Sequence, residues 1–542
     1  MLRALTLAAV WAIALLIAGR TTILSGFAIG FGDRGDGLIE IALLEHWRNV
    51  WMGVEAWSQP LWFHPYQGTL GYNDGYFLYG LSYSFWRLFF DPLVADGLNV
   101  LTFKSIGFFT AYGLTVRTLG WRHETGLLVA LLFTVSNNLV LQSGNTQLVS
   151  IALLPVVAML TVGAWRAAMA GETRRARWLG VGAGALMAAW LSTGFYLAWF
   201  TLWFVLVLLL CWAGVSGHWR PARALASIRP HLVTLAIIGG VSAVLLLPFL
   251  SVYLPKAMET GGHSVKGMRH YLATPVDWIN VGPGNLVWGW LQPWMVAAGD
   301  AIGFGDPVNG RVRELGFPLL LFGLYLAATV KVVRHGSGFL RAFALAIAIS
   351  WLLTLKLGLL SPWQAVFELV PGARGLRVVL RYQIFLILPV LLLAAAAWRE
   401  RLEAMAKPAL AGLALLLVAE QINTESPARL VRAEQLALES VPRPPSACAS
   451  FYVVTARTSE PLFIDAKMDA LYPHNVDAMF LASRWRLPTI NGFSTFNPPG
   501  WNFADATAAD YDARVLGYAR ARGLRRLCRL DMRDAAPWRL MS

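Results

Sequence analysis

The sequence predicts an all-α, multi-pass membrane protein of about eleven transmembrane helices, followed by a small C-terminal α/β domain. Three observations carry this reading. Hydrophobic residues make up 57% of the 542 and charged residues only 14%, with a mean hydropathy of +0.54, whereas soluble domains run at about a quarter charged. Apolar runs of about 20 residues, enough to cross a bilayer core of about 30 Å, recur along the chain. Basic residues cluster at alternate ends of those runs. The same figures exclude disorder, a coiled coil and a collagen-like rod.

The runs are 4–26, 93–118, 124–142, 148–169, 177–194, 196–215, 231–254, 315–334, 339–360, 379–398 and 408–421. The first has Arg3 ahead of it, as a signal peptide would. No small-residue cleavage site follows and Thr21–Phe31 stays largely apolar, so it is read as a retained anchor. The last is the shortest.

Orientation follows from basic residues in short loops. With a cytoplasmic N-terminus, the inner set is Arg3, Arg117, Arg122, Arg166, Arg174, Arg175, Arg177, Arg220, Arg223, Arg229, Lys331, Arg334, Arg341, Arg399, Arg401 and Lys407. The short connections opposite, near 143–147, 194–196 and 361–378, hold only Arg374 and Arg377. The net charge of +14 therefore marks membrane orientation, and nucleic acid is not an expected partner. Three long segments fall outside: 27–92, 255–314 and the tail from 422.

The first outer segment opens Gly32-Asp33-Arg34-Gly35-Asp36-Gly37. It then places Leu38, Ile41, Leu44, Trp47, Val50 and Trp51 at helical spacing. Asp36 stands where an N-cap would, and Glu40 falls near the first turn, where it is expected to be solvated. The helix is expected to lie on the membrane interface, anchored by Trp47, Trp51 and Trp57. Phe63-His64-Pro65 through Asn73-Asp74 demands an ordered turn, and 76–90 is too short to span comfortably.

The segment 255–314 is rich in Trp, Gly and Pro and carries Lys256, Lys266, Arg269 and His270. The Pro-rich joint at Pro442, Pro444 and Pro445 divides the chain into a membrane domain, 1–421, a linker, 422–445, and a domain at 446–542. In the last, FYVV, PTINGF and RRLCRL read as strands, and 475–486 and 509–522 as helices. Cys448 and Cys528 both lie there, on the oxidising side, and are candidates for a disulfide.

No soluble-enzyme motif is present: no P-loop, G-x-S-x-G, HExxH or CxxC. What remains is a set of acidic residues beyond the first span and basic residues in later outer loops. Asp36 reads either as an N-cap or as a general base at the membrane surface. Asp33 has the same two readings, with a pairing to Arg34 as the plain one. Asp74 reads as a turn former or a functional carboxylate. Lys104 lies roughly 16 Å into its span at 1.5 Å per residue, a depth that demands an ion pair or a cavity. Arg374, Arg377 and Arg381 oppose the inner bias, as anion ligands or as headgroup contacts. Asn137, Asn138, Asn145 and Gln147 line a cavity or join helices.

The block GDGLIEIALLEHW, then PLWFHPYQGTLGYND and NVL…GLTVRTLG, resembles the N-terminal half of polytopic GT-C-type glycosyltransferases and their bacterial relatives. GNTQLVSIALLP at 144–155 and VPGARGLRVVLR at 370–381 fit the same pattern, so the similarity covers roughly 25–170 and 360–400. The family's usual His before the glutamine is absent, since the sequence reads Gly144-Asn145-Thr146-Gln147, and Glu45-His46 interrupts the helix pattern.

The resemblance implies a bacterial inner-membrane enzyme with a cytoplasmic N-terminus and a periplasmic C-terminal domain. It would transfer a sugar, with inversion, from a polyprenyl-phosphate donor to a glycan, lipid or protein acceptor of the envelope. It places Asp36 as the loop carboxylate and Asp74 as the second acidic residue. Arg374, Arg377, Arg381 and Lys104 become candidate phosphate ligands, with Arg269 and His270 in the substrate region. No metal ligands are expected from motifs, and a divalent metal is left open. The alternatives are a flippase for a lipid-linked saccharide or a non-catalytic assembly protein. The absence of internal repeats and of paired broken spans argues against a carrier.

Overall fold

The structure, a computed structural model, describes residues 1–301, 311–358, 360–454 and 466–541. Parts of the expected outer segment 255–314 and of the C-terminal unit thus lie outside the described residues. Each of the eleven apolar runs forms a helix: α1 Leu2–Ala18, then, after two helices of the first loop (α2 Asp36–Trp51 and α3 Phe77–Trp86), α4 Pro92–Gly113, α5 His123–Val135 and α6 Leu154–Met169. They continue as α7 Thr173–Leu191, α8 Phe195–Ser216, α9 Leu232–Thr260, α10 Leu319–His335, α11 Gly338–Leu352, α12 Tyr382–Ala404 and α13 Lys407–Ala419.

Five helical stretches are long and apolar enough to cross a membrane: 123–141, 146–169, 195–216, 226–260 and 379–404. Three shorter helices, Leu2–Ala18, Gly338–Leu352 and Lys407–Ala419, are also apolar. Leu206, Leu209 and Leu210 on α8, and Val233, Val244 and Leu247 on α9, face outward. A contiguous apolar surface of this kind marks contact with lipid. The chain is a membrane protein of mostly helical architecture.

Helix α9 packs along α7 through small residues, and a Cβ on Gly184 would collide with Ser242 Oγ. Close backbone approach of this kind drives helix association where lipid removes the hydrophobic incentive.

The connections segregate. At one end, Tyr76 N–H donates to Thr193 O, Thr424 N–H to Gly284 O and His263 N–H to Arg374 O. The segment 27–92 and the loops near 143, 193, 262, 370 and 423 are therefore woven together there. A two-residue antiparallel ladder, β1 (Ile29–Gly30) with β2 (Leu430–Val431), ties the first loop to the start of the tail. At the opposite end, Arg122 pairs with Glu403, Arg166 donates to Thr118 O and Lys331 to Ala397 O.

Helix α2 departs from the expected interface helix. Twelve of its sixteen residues are buried, Glu40, Glu45 and His46 among them. It is wedged between α3, α4 and α14 (Pro473–Trp485), so its middle is enclosed by protein and only its ends stay accessible. Trp47 is buried and donates to the Gly75 carbonyl, while Trp51 and Trp57 stay exposed. Helix α3 has the membrane-facing pattern instead. Tyr79, Gly80 and Tyr83 point inward, and Leu81, Phe85, Leu88 and Phe89 are exposed at helical spacing.

Residues 446–541 carry a three-stranded sheet in the order β3 (Ser450–Val453), β4 (Leu527–Leu530), β5 (Trp538–Leu540). The first pair is parallel and the second antiparallel. Helices α14 and α15 (Tyr511–Ala521) accompany it. PTINGF is not a strand. Only Thr489 bridges to Phe451, because the Thr489 and Asn491 side chains take up the neighbouring backbone groups instead. Cys448 and Cys528 form a disulfide.

Candidate functional site

The site is built from the start of α2. Asp36 is the first helical residue, and Gly35 holds the N-cap position. The cap is supplied by Asp33, whose Oδ1 accepts from Gly35 N–H at 2.9 Å and Asp36 N–H at 3.0 Å. Asp33 is thus a capping residue, and Arg34 pairs with Asp477 at 3.4 Å rather than with it. Relieved of capping, the Asp36 carboxylate keeps solvent access at the start of the helix.

Four side chains act on that carboxylate. Burial by the surrounding protein, and then the Asp33 charge, push its pKa above the usual value. Tyr472, Arg381 and Arg377 pull the other way without cancelling the rise. Tyr472 donates its hydroxyl to Asp36 Oδ1 at 3.2 Å.

Asp74 accepts from Phe195 N–H at 2.7 Å. It therefore caps helix α8, where Gly194 supplies no side chain. Burial raises its carboxyl, with the Arg381 charge opposing. Arg381 therefore lies within electrostatic reach of both carboxylates, although Asp36 and Asp74 are 38 residues apart.

The arginines are held by aromatic faces. The Arg381 guanidinium sits 5.1 Å from the Tyr196 ring and that of Arg377 5.4 Å from Tyr271. The Tyr196 hydroxyl accepts from Arg377 N–H at 2.8 Å, fixing the loop that carries both. Neither guanidinium forms an ion pair among the described residues. A stacked guanidinium keeps its in-plane donors for an anion.

Arg374 is exposed on the same loop, and its carbonyl holds the backbone of His263. The His263 ring lies 4.6 Å from Phe496, and burial followed by Arg377 lowers its pKa to about 4. It is neutral at physiological pH.

The remaining expected site residues have other neighbours. Arg269 donates to Gln364, and the His270 carbonyl accepts from Arg313 while its ring abuts Tyr271. Lys104 is buried within α4, and its ammonium has no hydrogen-bond partner among the described residues. Asn137 joins helices and loops, bonding to Val281 O, Asn285 and Asn423.

Glu40 is buried, not solvated. It accepts from the Tyr76 hydroxyl at 2.8 Å, Thr146 N–H at 2.9 Å and Thr146 Oγ1 at 2.7 Å. One turn along from Asp36 and bonded two residues past Asp74, it locks the two acidic segments together. Burial pushes its carboxyl well up, with the Asp36 and Asp96 charges adding to the rise.

Tyr472, Tyr196, His263 and Glu40 carry no motif that sequence reasoning would single out. They enter because loops from five parts of the chain meet. Among the described residues no three His, Cys, Asp or Glu side chains gather as a metal site. The assembly offers a carboxylate of raised pKa within electrostatic reach of two stacked guanidiniums, which suits deprotonating a hydroxyl beside a bound anion. Neither protein-family models nor curated proteins give a match to this chain.

Proposed function

We propose that the chain is a GT-C-type membrane glycosyltransferase that moves a sugar from a polyprenyl-phosphate donor to an envelope acceptor. The observation that carries this reading is the convergence of Asp36 with Arg377 and Arg381. Sequence alone had placed them some 340 residues apart, with a role for each. In this reading Asp36 removes the acceptor proton. The sugar–phosphate bond breaks as the acceptor oxygen attacks, and the leaving phosphate departs toward Arg377 and Arg381. No proton needs to be supplied to a phosphate leaving group, so one base and a pair of cations suffice. Asp74 holds the α8 start and shares Arg381.

The membrane placement belongs to the same proposal. Eleven helices cross the bacterial inner membrane, with the N-terminus cytoplasmic and the end bearing Asp36 and the disulfide-linked C-terminal domain in the periplasm. The gathering of basic residues at the opposite end of the bundle supports this orientation.

The test is transfer from radiolabelled polyprenyl-phosphate sugars by the purified protein, wild type against Asp36→Ala. Transfer by the wild type and none by the variant, both folded and both retaining lipid, is the expected result. Undiminished transfer by the variant refutes the assignment of the base. Lipid retention without transfer by either protein refutes the enzyme and leaves a carrier or assembly protein.

A further inference from the structure

A second polar cavity, of about 490 Å³, opens where the far end of α2 meets the C-terminal unit. Glu45, on its wall, lies nine residues beyond Asp36, about 13 Å along the helix at 1.5 Å per residue. Four arginines from three segments line it: Arg48 from α2, Arg443 from the Pro-rich joint, and Arg484 and Arg486 from the end of α14.

The acidic residues around it are already engaged. Glu45 accepts from Arg87 Nε and the Tyr83 hydroxyl, both at 2.6 Å, and from Arg484 at 3.2 Å, with Arg48 at 3.6 Å. Burial alone would raise its carboxyl, but Arg87 and Arg484 outweigh burial and hold it below the usual value. Glu439 pairs with Arg484 at 2.9 Å. Helix ends favour cations, and that explains Arg48 and Arg484, which sit in last turns and hold Glu45. It does not explain Arg443 and Arg486. Both are exposed, and neither has a carboxylate partner among the described residues. Arg486 donates to the Met52 sulfur at 3.5 Å.

The apolar surroundings say what kind of anion fits. Met52, in contact with Arg486, and Trp51 beside it are about half exposed. Arg87, bonded to Glu45, follows α3, and Leu81 and Phe85 on that helix, with Leu88 and Phe89 just beyond it, are exposed. Basic groups beside exposed apolar side chains match the phosphate of a lipid whose tails lie in the bilayer. Guanidinium forks suit phosphate oxygens, and the volume lies in the range of small-molecule sites.

We infer that this cavity is an anion site, separate from the site around Asp36, that holds the phosphate head of an anionic membrane lipid between Arg443 and Arg486. A lipid held there pins the joint and α14 against α2, the same contact through which Tyr472 is brought to Asp36.

The test is arginine-specific labelling with phenylglyoxal, read residue by residue by peptide mass spectrometry. The full-length protein is placed in bilayers of phosphatidylcholine alone or with phosphatidylglycerol, and in phosphatidylcholine with inorganic phosphate. At least threefold slower labelling of both Arg443 and Arg486 with phosphatidylglycerol, and little change with inorganic phosphate, is the expected result. The same rates in all three arms overturn the site. Equal protection by inorganic phosphate overturns the lipid and leaves a site for a soluble anion. The double variant R443Q/R486Q, altered only at exposed positions, should retain severalfold less phosphatidylglycerol than wild type in native mass spectra. Equal retention counts against the proposal. None of these readouts depends on transfer activity, so they stand or fall separately from the role of Asp36.

Discussion

Tyr472, in the C-terminal unit, donates its hydroxyl to Asp36 Oδ1 at 3.2 Å across 436 residues of sequence. The bond stabilises the ionised carboxylate and so opposes the rise that burial and Asp33 impose. Tyr472→Phe removes the donor, and the Asp36 pKa climbs further. The base form then requires a higher pH, so the acidic limb of the transfer-rate profile moves upward by about one pH unit, given that a hydrogen bond to a charge contributes about 1.5 kcal/mol or more. A pH–rate profile with an unmoved acidic limb would show that Asp36 is not the titrating base.

Asp36→Asn separates chemistry from stability. A carboxyl whose folded-state pKa lies above its unfolded value favours folding only when protonated, so its ionised form opposes folding at neutral pH. The amide removes that cost and the repulsion from Asp33. Thermal unfolding in detergent at pH 7 should therefore show a midpoint no lower than wild type, while transfer falls by about 10²-fold or more.

Arg381 lowers the pKa of both Asp36 and Asp74. In Arg381→Gln the acidic limb should move to higher pH and the KM for the lipid donor should rise about tenfold, the loss expected of a charge-assisted contact to phosphate. Arg381→Lys keeps the charge and should restore the pH profile while leaving KM raised, because an ammonium cannot offer the guanidinium fork. Steady-state kinetics across pH distinguishes the two effects.

Glu40→Ala leaves the buried Thr146 N–H and hydroxyl without their acceptor. An unsatisfied buried donor costs about 1–3 kcal/mol, so the unfolding midpoint should drop. Glu40→Gln keeps an acceptor oxygen and the side-chain shape, and should recover most of the loss. Calorimetry of the three proteins checks the order.

The Cys448–Cys528 bridge closes a loop with a sequence separation of 80. By chain entropy such a loop is worth about 4 kcal/mol to the folded C-terminal unit. Reduction, or the paired Ser variant, should open that unit to protease while the helical bundle stays resistant. Limited proteolysis with and without reductant tests this, and an unchanged digestion pattern would contradict it.

Much of the architecture was legible because bilayer-scale periodicity is a local property. Each apolar run from 4–26 to 408–421 became a helix, and Arg122, Arg166 and Lys331 bond among the connections at the end opposite Asp36. Helices α14 and α15 and the strands at 451 and 527 were likewise visible in local pattern. The role of α2 was misread for a physical reason. Its outward-looking residues Glu40, Glu45 and His46 are polar, and polarity normally means solvent. Here each finds an internal partner: Tyr76 and Thr146 for Glu40, Arg87 for Glu45, and Glu55 for His46. The helix starts one residue earlier than its pattern suggests, since Gly35 takes the N-cap position and Asp33 accepts from the Gly35 and Asp36 amides ahead of the first turn.

By itself the sequence determined that this chain lives in a membrane, where its helices lie and which loops share a side, because hydropathy and charge act within a span of about 20 residues. It also marked Asp36, Asp74 and the 374–381 arginines as charges out of place. Only the tertiary structure decided which of them meet. Arg377 and Arg381 come within electrostatic reach of Asp36, while Lys104 is buried with no hydrogen-bond partner among the described residues and Arg269 donates to Gln364. Tyr472, Tyr196 and His263 join from loops with no pattern to announce them. Electrostatic reach and hydrogen bonding depend on distance in space, and between residues 36 and 472 distance is set by packing rather than by any local signal.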